Sequence, residues 1–365
     1  MAASPDSAAA PTARRRKGLA QVLLLVAESG FVALILVEVL LRLTTQSVPA
    51  LEPRRFALVD AHGVATPVRQ MPVVDHALPP GATLRLSYDA AGAPDHPYLV
   101  TEGAWQHLDA PLNARGFRGP LPEEPKRRPR VACVGDSFTF GDGVLAADGF
   151  VSRLRTARPE LEVLNYGVPG LDLAQVADQL EARVLADAPD RVLYAMTLND
   201  VPAGALEGQA ERVADAELAF RRSLDEPRGL ARFSSLAALV QRRARLDSTG
   251  ASYEEVVRTS FEGAGWEALL LQLERLDRDV RAAGADLTVV LFPLLVRLDG
   301  DYPFEALHER IAEACAARGI EHLDLLPAFR GERASELWVH PTDQHPNPRG
   351  HALAAEAIEP LLLRP

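Results

Sequence analysis

A chain of 365 residues is long enough for one large or two ordinary domains, and a composition of 47% hydrophobic and 24% charged residues is that of folded rather than disordered protein. The formal net charge is −11, and Arg14, Arg15, Arg16 and Lys17 crowd the start of the chain, so the remainder is more acidic still. An acidic body excludes nucleic acid as the expected partner. Two cysteines, Cys133 and Cys315, are expected as buried free thiols, with a disulfide between them as the lesser reading, and no Cys/His spacing is that of a zinc site.

Residues 1–17 read as a basic tail and residues 18–43 as a transmembrane signal-anchor helix. Leu19 to Leu43, "LAQVLLLVAESGFVALILVEVLLRL", is long enough to cross a bilayer and longer than the apolar core of a cleaved signal. The positive-inside rule keeps Arg14–Lys17 in the cytoplasm and puts the rest of the chain outside. The competing reading is a cleaved signal, for which Val48-Pro49-Ala50 is a poor site. Glu28 and Glu38 each cost about 2.5–3.5 kcal/mol at mid-membrane. Glu38 can pair with Arg42 at i, i+4. Glu28 is expected to be protonated or to face a partner helix.

Residues 44–129 are rich in Pro, Gly and Ala and are expected as a stalk with accessory extended pieces such as "ATLRLSYD" packed on the main domain. "LNARGFRG" (Leu112 to Gly119) reads as a turn anchored to the domain surface in preference to a binding loop, and "EEPKRRPR" as a linker. From residue 130 to 365 the pattern becomes an alternation. Short apolar strands ("VACVG", "LEVLNYG", "RVLYAMT", "DLTVVLFP", "EHLDLL") are separated by helical stretches, among them "LAQVADQLEARVLADA" and "WEALLLQLERLDRDVRAAG". That alternation predicts an α/β fold on a parallel sheet. Residues 201–262 interrupt it with a helical insertion. Its stripe Phe233, Leu236, Leu239 and Val240 reads first as core, and as a lid in the alternative.

Ligands of open α/β sheets bind beyond the carboxyl ends of the strands. Those ends carry Gly135-Asp136-Ser137, "NYGVPG" (Asn165 to Gly170) and "TLND" (Thr197 to Asp200). "HPTDQHPNPRGH" (His340 to His351) leads into the last helix. Taken singly, the first is a turn, Gly167 a turn glycine, Asn199-Asp200 a helix cap and His345 a surface histidine. Taken together they supply a nucleophile, Ser137, and a base, His345. Asp343 would hold the imidazole in the right tautomer. The N–H of Ser137, the N–H of Gly167 and the amide of Asn199 are the candidate oxyanion donors. Asn347-Pro348 predicts a helix start that makes the base rigid. His340 is a weaker rival base, and His351 reads as structural.

These four blocks, "VGDSFTFGDG", "NYGVPG", "LND" and "DQHPNPRGH", resemble the SGNH/GDSL hydrolase family over residues 130 to 365. With the apolar N-terminal segment and "NARGFRG", the chain is similar to a membrane-anchored bacterial branch of it. The resemblance implies a three-layer α/β/α flavodoxin-like fold and ester hydrolysis or acyl transfer with no metal and no cofactor. It implies an acylated small-molecule or glycan substrate, such as O-acetylated envelope polysaccharide, and a site in the cytoplasmic membrane with the catalytic domain periplasmic or extracellular. Two departures stand out. Thr197 occupies a place where the family commonly has glycine, and only Gln344 separates Asp343 from His345, where two residues are common. In an extended segment i and i+2 share a face, which would keep the acid and base in contact; otherwise Ser137 and His345 would act as a dyad. The competing functions are a carbohydrate O-acyltransferase and a non-catalytic envelope scaffold in which Glu28 would matter more than Ser137.

Overall fold

The computed structural model describes residues 25–26, 28–42, 54–60, 62–68, 73, 75–91, 98–202 and 229–363. The chain divides into two compact units, Met1–Ala50 with Ala219–Thr249, and Leu51–Leu218 with Gly250–Pro365.

In the first unit, residues 28–42 form helix α1, whose apolar side chains are largely exposed, Phe31 and Leu36 among them. Among the described residues no helix is long and apolar enough to cross a membrane; the tail at 1–17 and the start of the expected anchor lie outside them. Arg42 does pair with Glu38, Nε to carboxylate at 2.8 Å. The same carboxylate accepts the N–H groups of Ser235 (2.7 Å) and Leu236 (3.0 Å) and the Ser234 hydroxyl (2.9 Å), so it caps the start of a later helix, residues 235–260.

The second unit holds two five-stranded sheets and a two-stranded one near the chain's end. In the segment expected as a stalk with extended pieces packed on the main domain, the extended pieces form a folded sheet: β1 (Arg55–Val59), β2 (Ala65–Val68), β3 (Thr83–Asp89), β4 (Val100–Glu102) and β5 (Trp105–Pro111) pair antiparallel in the order β2-β1-β3-β5-β4. The Pro/Gly/Ala composition masks a period-2 signal in β3, where Leu84, Leu86 and Tyr88 are buried and their neighbours half-exposed. Those residues share one apolar core with the strands of the second sheet.

That second sheet is parallel, with β6 (Arg130–Gly135), β7 (Glu162–Asn165), β8 (Arg191–Met196), β9 (Asp286–Leu291) and β10 (Glu321–Asp324) in the order β10-β9-β8-β6-β7. All six residues of β6 are buried, as a central strand covered on both faces requires. The chain moves one way from β6 to β7 and back across β6 to β8. Right-handed crossovers therefore put α3 (Phe150–Ala157) and α4 (Leu173–Gln179) on opposite faces. α9 (Pro348–Ile358) packs on α3, and α6 (Gly263–Ala282) packs on α4. The result is the expected α/β/α stack with a flavodoxin-like strand order. On α6, Leu269, Leu273, Leu276 and Val280 form the buried stripe that the periodicity predicts. Of the helical insertion, residues 203–228 lie outside the described residues; in α5 (Ser235–Ser260) and just ahead of it, the stripe expected as core is not buried, since Phe233 and Val240 are exposed.

Candidate active site

The abrupt change from β6 to a serine has a local cause. Gly135 has φ +147°, and a Cβ there would stand 2.4 Å from Thr139 Oγ1 and 2.7 Å from the Ala195 carbonyl oxygen, so only glycine fits. Asp136 then caps a short helix, α2 (Ser137–Phe140), accepting the Phe138 N–H at 2.9 Å. Ser137 is the first helical residue, so its own N–H has no intrahelical acceptor. Gly141, left-handed at φ +79°, ends the helix, and buried Arg118 of "NARGFRG" donates to the carbonyls of Phe140, Gly141 and Val144. That segment is thus an anchor, as expected, and what it anchors is the turn behind the serine.

His345 arrives from the far end of the chain. β11 (Trp338–His340) and β12 (Asp343–Pro346) pair antiparallel, and Asn347 caps α9 by accepting the N–H groups of Arg349 (3.0 Å) and Gly350 (3.2 Å). His345 is held between a strand pair and a capped helix. Its Nε2 lies 2.7 Å from Ser137 Oγ, and its Nδ1 is in hydrogen-bond contact with Asp343 Oδ1. Because β12 is extended, the i, i+2 spacing does bring acid and base together. His340 is elsewhere: it stacks on Tyr88 and contacts Thr342 Oγ1 and the Asp89 carbonyl. His351 is buried inside α9, accepts the Phe150 N–H at 3.3 Å, and is pushed down to about 3 by burial and by the nearby Arg118 and Arg153 charges.

Two further side chains close on the acid, and neither was singled out by sequence reasoning. Arg54 Nη1 donates to Asp343 Oδ2 at 2.9 Å and to Asp142 Oδ2 at 2.8 Å. The Tyr88 hydroxyl donates to Asp343 Oδ2 at 3.0 Å. Asp343 is buried, which opposes its charge, yet Arg54, His345 and Tyr88 together hold its carboxyl well below the usual range. Burial likewise disfavours the His345 imidazolium, but Asp343 outweighs that, and its pKa lies above 6.5; Arg54 works against the rise and Asp142 with it.

The other two blocks meet at the same strand ends, where the order of strands reverses between β6 and β8. Gly167 does not present a free donor as expected, because its N–H is donated to Asn165 Oδ1 at 2.9 Å. Its function is room: a Cβ would stand 2.2 Å from the Phe140 nitrogen and 2.6 Å from the Thr139 carbonyl carbon, in the backbone of α2. Gly167→Ala is expected to push the nucleophile helix out of place, costing about 1–3 kcal/mol of stability and at least roughly tenfold in kcat/KM; a melting curve with ester-hydrolysis kinetics checks both. Asn199 is exposed; its Oδ1 accepts the Thr197 hydroxyl, and its amide nitrogen makes one long contact, 3.4 Å to Asp136 Oδ2, so the nitrogen retains donor capacity toward solvent.

Thr197 stands where glycine is common in the family, and it is fully buried between two carboxylates. Its hydroxyl lies 3.3 Å from Asp136 Oδ2 and 3.0 Å from Asp200 Oδ1, while Asp200 Oδ2 accepts from Tyr194 (2.7 Å) and from the Thr197 N–H (3.0 Å). Burial raises the pKa of Asp136, and burial together with the Asp136 charge raises that of Asp200 further. A carboxyl whose folded pKa is raised gives up stability as pH climbs from 3.8 through the folded value. Asp200→Asn is therefore expected to melt no lower than wild type at pH 8 and to lose that advantage near pH 4. Scanning calorimetry at the two pH values tests it.

Among the described residues no cluster of three or more His, Cys, Asp or Glu side chains is arranged to hold a metal ion. Cys133 and Cys315 are buried and free.

The family model described as GDSL-like lipase/acylhydrolase matches residues 133–353, more than half of the chain. Similar solved structures include TesA, at 16% identity over 64% of this chain and 98% of that one with a TM-score of 0.41. A member of the lipolytic protein G-D-S-L family from Veillonella parvula DSM 2008 is 16% identical over 65% of this chain and 99% of that one, TM-score 0.39. Axe2, an acetylxylan esterase from Geobacillus stearothermophilus, is 15% identical over 65% and 95%, TM-score 0.40. No curated protein matches the chain. A serine at the start of a helix beyond β6, faced by a histidine from just ahead of the last helix, lies within the matched span, and the chain belongs to the GDSL-like lipase/acylhydrolase family of serine hydrolases acting on ester bonds.

Proposed function

We propose that the protein is a membrane-tethered bacterial esterase that removes acyl groups, acetyl foremost, from envelope polysaccharide outside the cytoplasm. The 2.7 Å contact of Ser137 Oγ with His345 Nε2, backed by Asp343 on Nδ1, carries the reading. Ser137 Oγ attacks the ester carbonyl carbon while its proton passes to His345 Nε2. The tetrahedral intermediate collapses as His345 returns that proton to the leaving alcohol oxygen, and an acyl-Ser137 ester remains. Water, deprotonated by His345, then releases the acid. The Ser137 N–H and the Asn199 amide are the oxyanion donors of this mechanism. Arg14–Lys17 and the apolar run to Leu43 support the tether and its orientation.

The full chain, purified in detergent, is expected to release acetate from O-acetylated oligosaccharides, and protease added to intact spheroplasts is expected to remove the catalytic domain. Simple aryl acetates cleaved with no acetate released from any glycan would overturn the substrate class. Acetyl groups moved to an acceptor glycan in preference to water would make the enzyme a transferase, and protection from protease would overturn the topology.

A further inference from the structure

We propose that Arg54 is a positioning residue of the hydrolytic site: as the shared counterion of Asp343 and Asp142, it lets the antiparallel sheet set the basicity of His345. The proposal rests on the assignment of Ser137, His345 and Asp343 above. One nitrogen, Arg54 Nη1, lies within 2.8 Å of Asp142 Oδ2, 2.9 Å of Asp343 Oδ2 and 3.2 Å of His345 Nδ1. It has two protons, and the two carboxylates take both. The third approach is therefore no hydrogen bond, since the Nδ1 proton belongs to Asp343; it brings a permanent positive charge against the imidazole.

Asp142 completes the arrangement from the other side. Its side chain is fully buried, its Oδ2 is 3.9 Å from His345 Nε2, and its Oδ1 has no hydrogen-bond partner among the described residues. The groups facing His345 are Arg54 ahead of β1, Tyr88 on β3, Asp136 and Ser137 at the β6–α2 turn, Asp142 beyond α2 and Asp343 on β12, with Arg118 and His351 behind them. A neutral imidazole between two buried carboxylates would hold a proton tightly. Arg54 offsets one of those charges, which leaves His345 free to act as a base. It does so from a position 76 residues ahead of the start of β6, and hence outside the residues 133–353 that the family model matches.

The test is the pH dependence of kcat/KM on p-nitrophenyl acetate for the full-length wild type, Arg54→Gln, Asp142→Asn and the double variant. Arg54→Gln should move the acid limb up by about one pH unit or more, with activity recovered at high pH and partly restored by added guanidinium. Asp142→Asn should move the limb down, and the double variant should return it toward wild type. Should Arg54→Gln fail to fold, Asp142→Asn carries the sign alone and Arg54→Lys, which keeps the charge, should hold the wild-type limb. Loss of activity or melting temperature with unmoved limbs would make Arg54 a mere strut and sink the proposal. Full activity of Ser137→Ala or His345→Gln would instead remove the assignment beneath it.

Discussion

Ser137→Ala is expected to abolish ester hydrolysis, by on the order of 10⁴-fold or more in kcat, and to abolish labelling by a fluorophosphonate probe while leaving the melting temperature close to that of wild type. The size follows from the absence of a substitute nucleophile. Thr139 is buried and its hydroxyl is bonded to the Val134 carbonyl at 3.3 Å, and Cys133 is buried within β6 with its thiol pushed up to about 12 by burial. The small stability effect follows because Ser137 Oγ meets only His345 and, at 3.4 Å, Asp136, while the α2 start is capped by the Asp136 side chain. Equal labelling of wild type and variant would mean that another residue reacts, and would end the assignment.

His345→Gln is expected to lower kcat nearly as far, since Ser137 Oγ then keeps only the long 3.4 Å contact with Asp136 and no imidazole to accept its proton. In wild type the same residue should write the acid limb of the kcat/KM profile. His345 must be neutral to act as base. Its pKa lies above 6.5, because Asp343 outweighs the burial that opposes the imidazolium. As pH falls through that raised value the base is lost, so the limb falls above pH 6.5, and Asp343→Asn should bring it down along with turnover. A limb at or below 6.5 in wild type would contradict the electrostatics read from the site.

The parallel strands β6 to β10 and the buried face of α6 were legible because their signals are local: short apolar runs, and apolar residues recurring at helical spacing. That Ser137, Asp343 and His345 come together was legible for a related reason. Each sits in a short motif whose backbone, a glycine-bounded helix start or an extended strand ahead of an Asn-Pro cap, is written within a few residues. Even the shortened Asp343–His345 spacing was decidable, because period-2 geometry fixes which side chains share a face.

Other features depended on tertiary structure. Nothing in "RRFALV" marks Arg54 as a partner of residues 88 and 289 positions away, and the Pro/Gly/Ala-rich stretch around it reads as a stalk until its strands are paired. Asp142 drew no reading from its local sequence, and Gly167 looked like an oxyanion donor until the fold gave Asn165 the Gly167 N–H and put α2 against its Cα. The periodicity and motifs of the chain determined which elements form and which groups are the candidates for the chemistry. Packing alone decided which charges surround the base, because a contact between distant residues exists only where two surfaces close on each other, and no local pattern records it.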